Sequence, residues 1–310
     1  MAARTVESFC ALRSIDRGER IFATASQVRV WLLVEYSGLW THNLLDDSEL
    51  PAEVKLGLSE ALTAIPGSRL LFIKNDLRAR AGLSSFLAIT RETERALYRF
   101  ELDDYRELLE VNWPGLASSP PPDTLQRVDD PLYLVCGDGK HDKCCAMFGL
   151  PVYRELVRQV GQTVWQSSHL GGDRFAGNVV WLPGGVYYGH VAAEDVQRIV
   201  EATARGNIYL ERLRGRSCYG FDLQAAEYFA RVASGRRELE AFRLANVERS
   251  AGTITVQFDE PGQGRSHRVE LARDNHALRG LLTCTSPREL DIPQYRLVGY
   301  QVAALPPDKT

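Results

Sequence analysis

Apolar positions along the chain shift between two periods, and the shifts divide it into elements. The run Gln27-Val28-Arg29-Val30-Trp31-Leu32-Leu33-Val34-Glu35 has a continuous apolar centre rich in β-branched residues, which predicts a buried strand. A loop from Ser37 to Leu50 follows, holding Trp40, His42 and the acidic group Asp46, Asp47 and Glu49. Pro51 stands where a first helical turn tolerates proline, and Val54, Leu58, Ala61, Leu62 and Ile65 follow at helical spacing until Pro66-Gly67 stops them. Strand-like runs come next at Leu70–Ile73, Phe86–Thr90 and Leu97–Leu102, then a helix-prone stretch from Asp103 to Val111. The order is β-α-β-β-β-α.

Ser118-Ser119-Pro120-Pro121-Pro122 interrupts the pattern, because consecutive prolines favour extended polyproline geometry. Beyond it the same order recurs. Leu132–Val135 predicts a strand, Pro151 opens a helix carrying Val152, Leu156 and Val160, and Val164–Ser167 predicts a short strand. Val179–Leu182 and Val186–Val191 flank Pro183-Gly184-Gly185, a hairpin signal, and Glu194–Arg205 is amphipathic. A β-α-β step followed by a hairpin and a helix is the core order of the thioredoxin fold. The expected fold class is therefore α/β, with two tandem thioredoxin-like units and a smaller C-terminal α+β extension. That extension holds a helix over Leu223–Ala233 and strands near Ile254–Phe258, Val269–Leu271 and Tyr295–Val302. The expected divisions are a degenerate unit over 1–117, a linker over 118–129, the second unit over 130–208 and the extension over 209–310.

Charge and composition narrow the function. A net charge of −3 leaves no electrostatic footprint for nucleic acid, and the longest apolar stretch, Val28–Tyr36, is too short to span a bilayer. The start MAARTVESF lacks the apolar core of a signal peptide, so a cytoplasmic location is expected. Six cysteines are too few for a disulfide scaffold, and in a reducing compartment clustered cysteines point to metal or redox chemistry.

Three of them lie in Cys136-Gly137-Asp138-Gly139-Lys140-His141-Asp142-Lys143-Cys144-Cys145, at the end of a predicted strand. Loops at the carboxyl ends of strands are where open α/β sheets take ligands. Thiolates are the soft ligands of iron–sulfur clusters and zinc, and a loop of this length suits a cluster better than a zinc knuckle. Ser168-His169-Leu170-Gly171-Gly172-Asp173-Arg174-Phe175-Ala176-Gly177-Asn178 follows a second strand end. Gly171-Gly172 permits close backbone approach, and His169 and Asp173 are two potential ligands on one tight loop.

These segments resemble the sucrase/ferredoxin-like family of thioredoxin-like 2Fe–2S proteins. The resemblance rests on the C-x₈-C loop with its basic-Asp-Lys interior, on H-x-G-G-x-[RK]-[FY]-A-x-N, and on the Pro-Gly-Gly…Tyr-Gly hairpin. Weaker similarity covers Ala23-Thr24-Ala25, Trp31–Glu35, Arg214-Gly215-Arg216 and Gln224-Ala225-Ala226-Glu227. It implies a 2Fe–2S cluster held by two cysteines and two histidines in an H-x₃-H pattern. By position the ligands are Cys136, Cys145, His169 and Asp173, with aspartate where the pattern has its second histidine. Three arrangements stay open: Asp173 ligates iron, Cys144 or His141 substitutes, or the cluster is labile or absent. Lys143 and Arg174 are the expected neighbouring cations.

Cys10, Cys218 and Cys284 are isolated in sequence and read as packing residues, and Cys144 as a bystander. His42, His190, His267 and His276 lack ligand spacing, and His141 reads as a solvated loop residue. The expected function is electron transfer or redox sensing with a separate redox partner protein, rather than stand-alone catalysis. A zinc-binding or metal-free structural module on the same fold is the alternative. Neither half has the C-x-x-C motif that thiol–disulfide exchange needs at a helix start.

Overall fold

The structure is a computed structural model that describes residues 9–77, 82–118, 126–250 and 252–305. Most of the proline-rich stretch expected to link the halves lies outside the described residues.

In chain order the first half holds α1 (Cys10–Asp16), β1 (Val30–Glu35), α2 (Leu44–Asp47), α3 (Ala52–Ala64), β2 (Ser68–Lys74), β3 (Leu83–Thr90), β4 (Arg95–Leu102) and α4 (Trp113–Ser118). The second holds β5 (Leu132–Cys136), α5 (Lys143–Val160), β6 (Val164–Ser167), β7 (Val179–Leu182), β8 (Val186–Tyr188), α6 (Val196–Ala204), β9 (Leu213–Arg216) and α7 (Phe221–Ser234). Strands β10 (Arg243–Ser250), β11 (Thr253–Glu260), β12 (Arg265–Gly280) and β13 (Leu290–Ala304) complete the chain.

Both halves contribute to one mixed α/β sheet of nine strands in the order β4-β3-β1-β2-β6-β5-β7-β8-β9. One pairing scheme occurs twice in it. β1 runs parallel to β2 and antiparallel to β3, which pairs antiparallel with β4. β5 runs parallel to β6 and antiparallel to β7, which pairs antiparallel with β8. The halves meet where Ile73 and Lys74 of β2 pair with Ser167 and Gln166 of β6. β10 to β13 form a separate antiparallel sheet of four strands.

Period-two burial explains how this sheet forms cores on both faces. On β1, Val30, Leu32 and Val34 face one core with α3 and α4, while Trp31 and Leu33 face another. That second core is shared: Leu71, Ile73 and Phe86 of the first half pack with Leu132, Leu134, Trp165 and Val180 of the second. Cys136 and Cys145 belong to this same cluster, so the candidate ligands lie at the edge of the core that joins the halves.

Several expectations need correction. The helix expected to open at Pro151 begins at Lys143, because Asp142 caps it by accepting a hydrogen bond from the Cys144 N–H (2.8 Å), and Pro151 lies inside. The stretch 103–111 is a 3₁₀ turn, Tyr105–Leu109, closed by a capping box between Asp104 and Glu107, and the α-helix starts only at Trp113. β9 lies in the region expected to be an extension, yet it pairs with β8 at the edge of the large sheet. α1, α2, β9 and β10 have no counterpart among the predicted elements, α2 lying in the stretch expected to be a loop.

Candidate metal centre

β5 and β6 are parallel and in register at Cys136 and Ser167, so the loops leaving them emerge side by side. The first loop turns back into α5, whose opening turn carries Cys145. The second carries His169 two residues beyond β6. Three separate segments therefore bring the Cys136 and Cys145 sulfurs and a His169 nitrogen within 4.8 Å of one another. Both cysteines are buried, and His169 is about a quarter exposed.

The glycine loop is held by buried polar contacts. Gly171 and Gly172 take φ of +91° and +82°, a region favouring glycine. A Cβ on Gly172 would stand 2.4 Å from Arg214 Nη2. That guanidinium donates to Gly171 O (2.8 Å), Asn178 Oδ1 (2.8 Å) and Thr24 O (2.6 Å), and Asn178 donates back to Gly172 O (2.8 Å). From the first half, Arg69 donates to His169 O (2.5 Å) and Leu170 O (3.0 Å). The motif's glycines, asparagine and distant arginine thus fix the His169 backbone from both sides.

Asp173 is buried and faces the ligands. Its Oδ1 lies 3.1 Å from His169 Nδ1, off the line of a good hydrogen bond, and accepts from the Cys145 thiol at 3.3 Å. Its Oδ2 stands 3.9 Å from His141 Nε2. The electrostatics favour separated charges. Burial works against ionising Asp173, but His169 outweighs it and holds the carboxyl below its usual range. Burial likewise opposes the His169 imidazolium, yet Asp173 and Cys136 raise it to about 9. The two cysteines shift one another in opposite directions: the neighbouring Cys145 lowers Cys136, against its burial, while Cys136, burial and Asp173 push Cys145 up.

Two further histidines, one read as a solvated loop residue and one as lacking ligand spacing, stand at this site. The His141 ring stacks on His169 with centroids 3.6 Å apart, and the exposed His42 stacks on His141 at 4.7 Å. No local spacing marks His42, which comes from the loop after β1. The expected neighbouring cations are placed elsewhere. Arg174 donates to Glu19 (2.7 Å) and stacks over Phe175, and the Lys143 ammonium lies 5.0 Å over the Phe9 ring. Cys144 points away from Cys145, with its sulfur 3.6 Å from Cys10 and 3.2 Å from Cys284. Neither Cys10 nor Cys284 is isolated in the fold.

Two thiols and the His169 imidazole converge, with the Asp173 carboxylate beside Cys145 and His169 and also within reach of His141, and such donors fit an iron–sulfur centre or a single zinc. The imidazole nitrogen Nδ1 of His169 is buried without a well-aligned hydrogen-bond partner, as a ligating nitrogen would be in the metal-free site.

A family model described as sucrase/ferredoxin-like matches residues 21–215. Among curated proteins, "altered inheritance of mitochondria protein 32" of Meyerozyma guilliermondii is 38% identical over 101 residues, 29% of this chain and 36% of that protein. The protein of the same name from Debaryomyces hansenii is 24% identical over 56% of this chain and 66% of its own length. The match thus spans about a third to two thirds of these relatives. Among solved structures, a thioredoxin-like [2Fe-2S] ferredoxin from Aquifex aeolicus is 21% identical, with 28% of this chain and 91% of that one covered at a TM-score of 0.25. Among the described residues no helix is long and apolar enough to cross a membrane.

Proposed function

The chain belongs to the sucrase/ferredoxin-like family, and from that premise we propose that it binds a 2Fe–2S cluster and transfers or senses single electrons. The observation that carries this reading is the convergence of Cys136, Cys145 and His169 from the ends of two parallel strands and the start of one helix. Asp173 is the fourth ligand in this reading, since its carboxylate already touches both Cys145 and His169. The repeated pairing scheme supports two tandem thioredoxin-like units, the first without a cysteine site of its own.

A 2Fe–2S cluster supplies a one-electron redox couple when bound. The chain's own part is to present thiolates, keep water from the buried side and release protons as metal enters. The low Cys136 and raised His169 describe a thiolate–imidazolium pair, so holding a metal would require the chain to release a proton from His169 as well as from Cys145. The glycine loop and Arg214 hold His169 in place, and His141 and His42 cover its outer face. The exposed edge at His42 is where a redox partner protein would approach. This reading places the chain in a reducing compartment, the cytoplasm, where thiolate ligands stay available.

Anaerobically purified protein tests the proposal by visible absorption, EPR, and iron and acid-labile sulfide assays. The expected result is about two irons and two sulfides per chain, lost in Cys136→Ser. Colourless protein with zinc bound through these residues would support the structural reading instead.

A further inference from the structure

Cys10, Cys144 and Cys284 come from the N-terminal helix, the start of α5 and the loop between β12 and β13, and their sulfurs meet. The three separations are 3.6 Å (Cys10–Cys144), 3.2 Å (Cys144–Cys284) and 3.6 Å (Cys284–Cys10). Asp142, itself buried, supplies a carboxylate oxygen within 4.8 Å of all three. We propose that these four residues form a second metal site, distinct from the candidate cluster, that takes one zinc-class divalent ion in a tetrahedral thiolate-rich setting.

The spacing supports a single ion. Zinc–sulfur bonds of about 2.3 Å at tetrahedral angles put the sulfurs about 3.8 Å apart, so the three sulfurs need only spread by about 0.2–0.6 Å. Around the site the protein contributes the features that orient metal ligands. Asp142 accepts from the Cys144 N–H at 2.8 Å with one oxygen and from the Cys284 N–H at 2.6 Å with the other. A carboxylate has about four lone-pair sites, so two remain for an ion. The Cys10 N–H points at the Cys284 sulfur (3.5 Å). Ala11, Ala176, Phe148, Phe9 and Leu281 enclose the sulfurs in an apolar shell.

Here Asp142 sits against three sulfurs, and a divalent cation is the partner that lets four potential anions share one pocket. Binding displaces the thiol protons to solvent and leaves four protein ligands, a closed structural site rather than a catalytic one. It ties α1 and the β12–β13 loop to the first turn of α5. Because Cys144 and Cys145 are consecutive, the two metal sites would lie back to back on one helix start.

The test is metal analysis of the full chain, purified anaerobically without chelator after growth with zinc. The expected result is about one zinc per chain beyond any iron, retained in Cys136→Ser and lost in Cys10→Ser/Cys284→Ser. Cobalt loaded into Cys136→Ser should give intense thiolate-to-metal charge-transfer absorption, absent when Cys10 and Cys284 are also replaced. Wild-type protein without zinc and with a Cys144–Cys284 disulfide in non-reducing mass spectrometry would overturn the site. Zinc that disappears with Cys136→Ser but survives the double serine variant would overturn it as well. The zinc and cobalt readouts do not depend on iron, so failure of the cluster proposal is seen separately in the iron, sulfide and EPR assays.

Discussion

The His141 ring lies flat against the His169 ring, centroids 3.6 Å apart and planes within 18° of parallel. Stacking of this kind shields a ligating imidazole from water. It also lowers the His141 pKa, first through burial and then through His169, so His141 covers the site mainly as a neutral ring. In the proposed cluster site, with two thiolates, an imidazole and a carboxylate as ligands, the oxidised form would carry −1 and the reduced form −2, and water favours the more charged form.

Replacing His141 by alanine should therefore raise the midpoint potential while iron content stays unchanged. The expected rise is on the order of tens of millivolts, where about 59 mV is a tenfold change for one electron. An EPR-monitored redox titration reads it. Loss of iron from His141→Ala would instead make His141 a ligand.

Asp173→His removes one negative charge from the ligand shell and restores the family's two-histidine pattern. The reduced state gains more from this than the oxidised state, so the potential should rise, on the order of 100 mV given the span between histidine-ligated and all-cysteine centres. An equal or lower potential in the variant would contradict ligation by Asp173.

Gly172→Ala should weaken the site loop. Its φ of +82° is unfavourable for alanine, and the new methyl would meet Arg214, which is fully buried and bonded on all sides. A destabilisation of about 1–3 kcal/mol is expected, together with reduced iron occupancy. Urea denaturation and iron assays on the same preparations check both.

His190 makes stability depend on pH. Burial pushes its pKa down to about 4, with Arg212, Arg214 and Arg174 adding to the effect against a bond to the Ala176 backbone. In the unfolded chain the ring takes up a proton near pH 6.5, so the unfolded state binds more protons between pH 6.5 and 4. Stability is full above that window and falls as pH drops through it, by about 2 kcal/mol at pH 5. Denaturation at pH 7 and pH 5 should show this loss in the parent protein and a smaller one in His190→Gln at equal metal content.

The predicted and observed strands agree where burial alternates or runs unbroken over several residues, as in β1, β6 and β7. Strand periodicity is a local signal, and so is the C-x₈-C loop at the end of β5. Pro151 misled because proline is common at helix starts, whereas the side chain that starts α5 is Asp142, in the glycine-bearing turn that leaves β5. Asp142 between two lysine-flanked positions carries little contrast in sequence, and its capping role appears only once the Cys144 and Cys284 backbones are placed.

What the sequence by itself determined is the α/β class, the individual strands and the two loops that carry candidate ligands, because each depends on neighbours within a few residues. Tertiary structure decided the rest. The stack of His42 on His141 on His169 needs β1 and β5 in one sheet, and the contact of Cys10 with Cys284 spans 274 positions. Contacts of that separation follow from how the sheet and its flanking helices close on a shared core. No local pattern of polarity or turn residues encodes them.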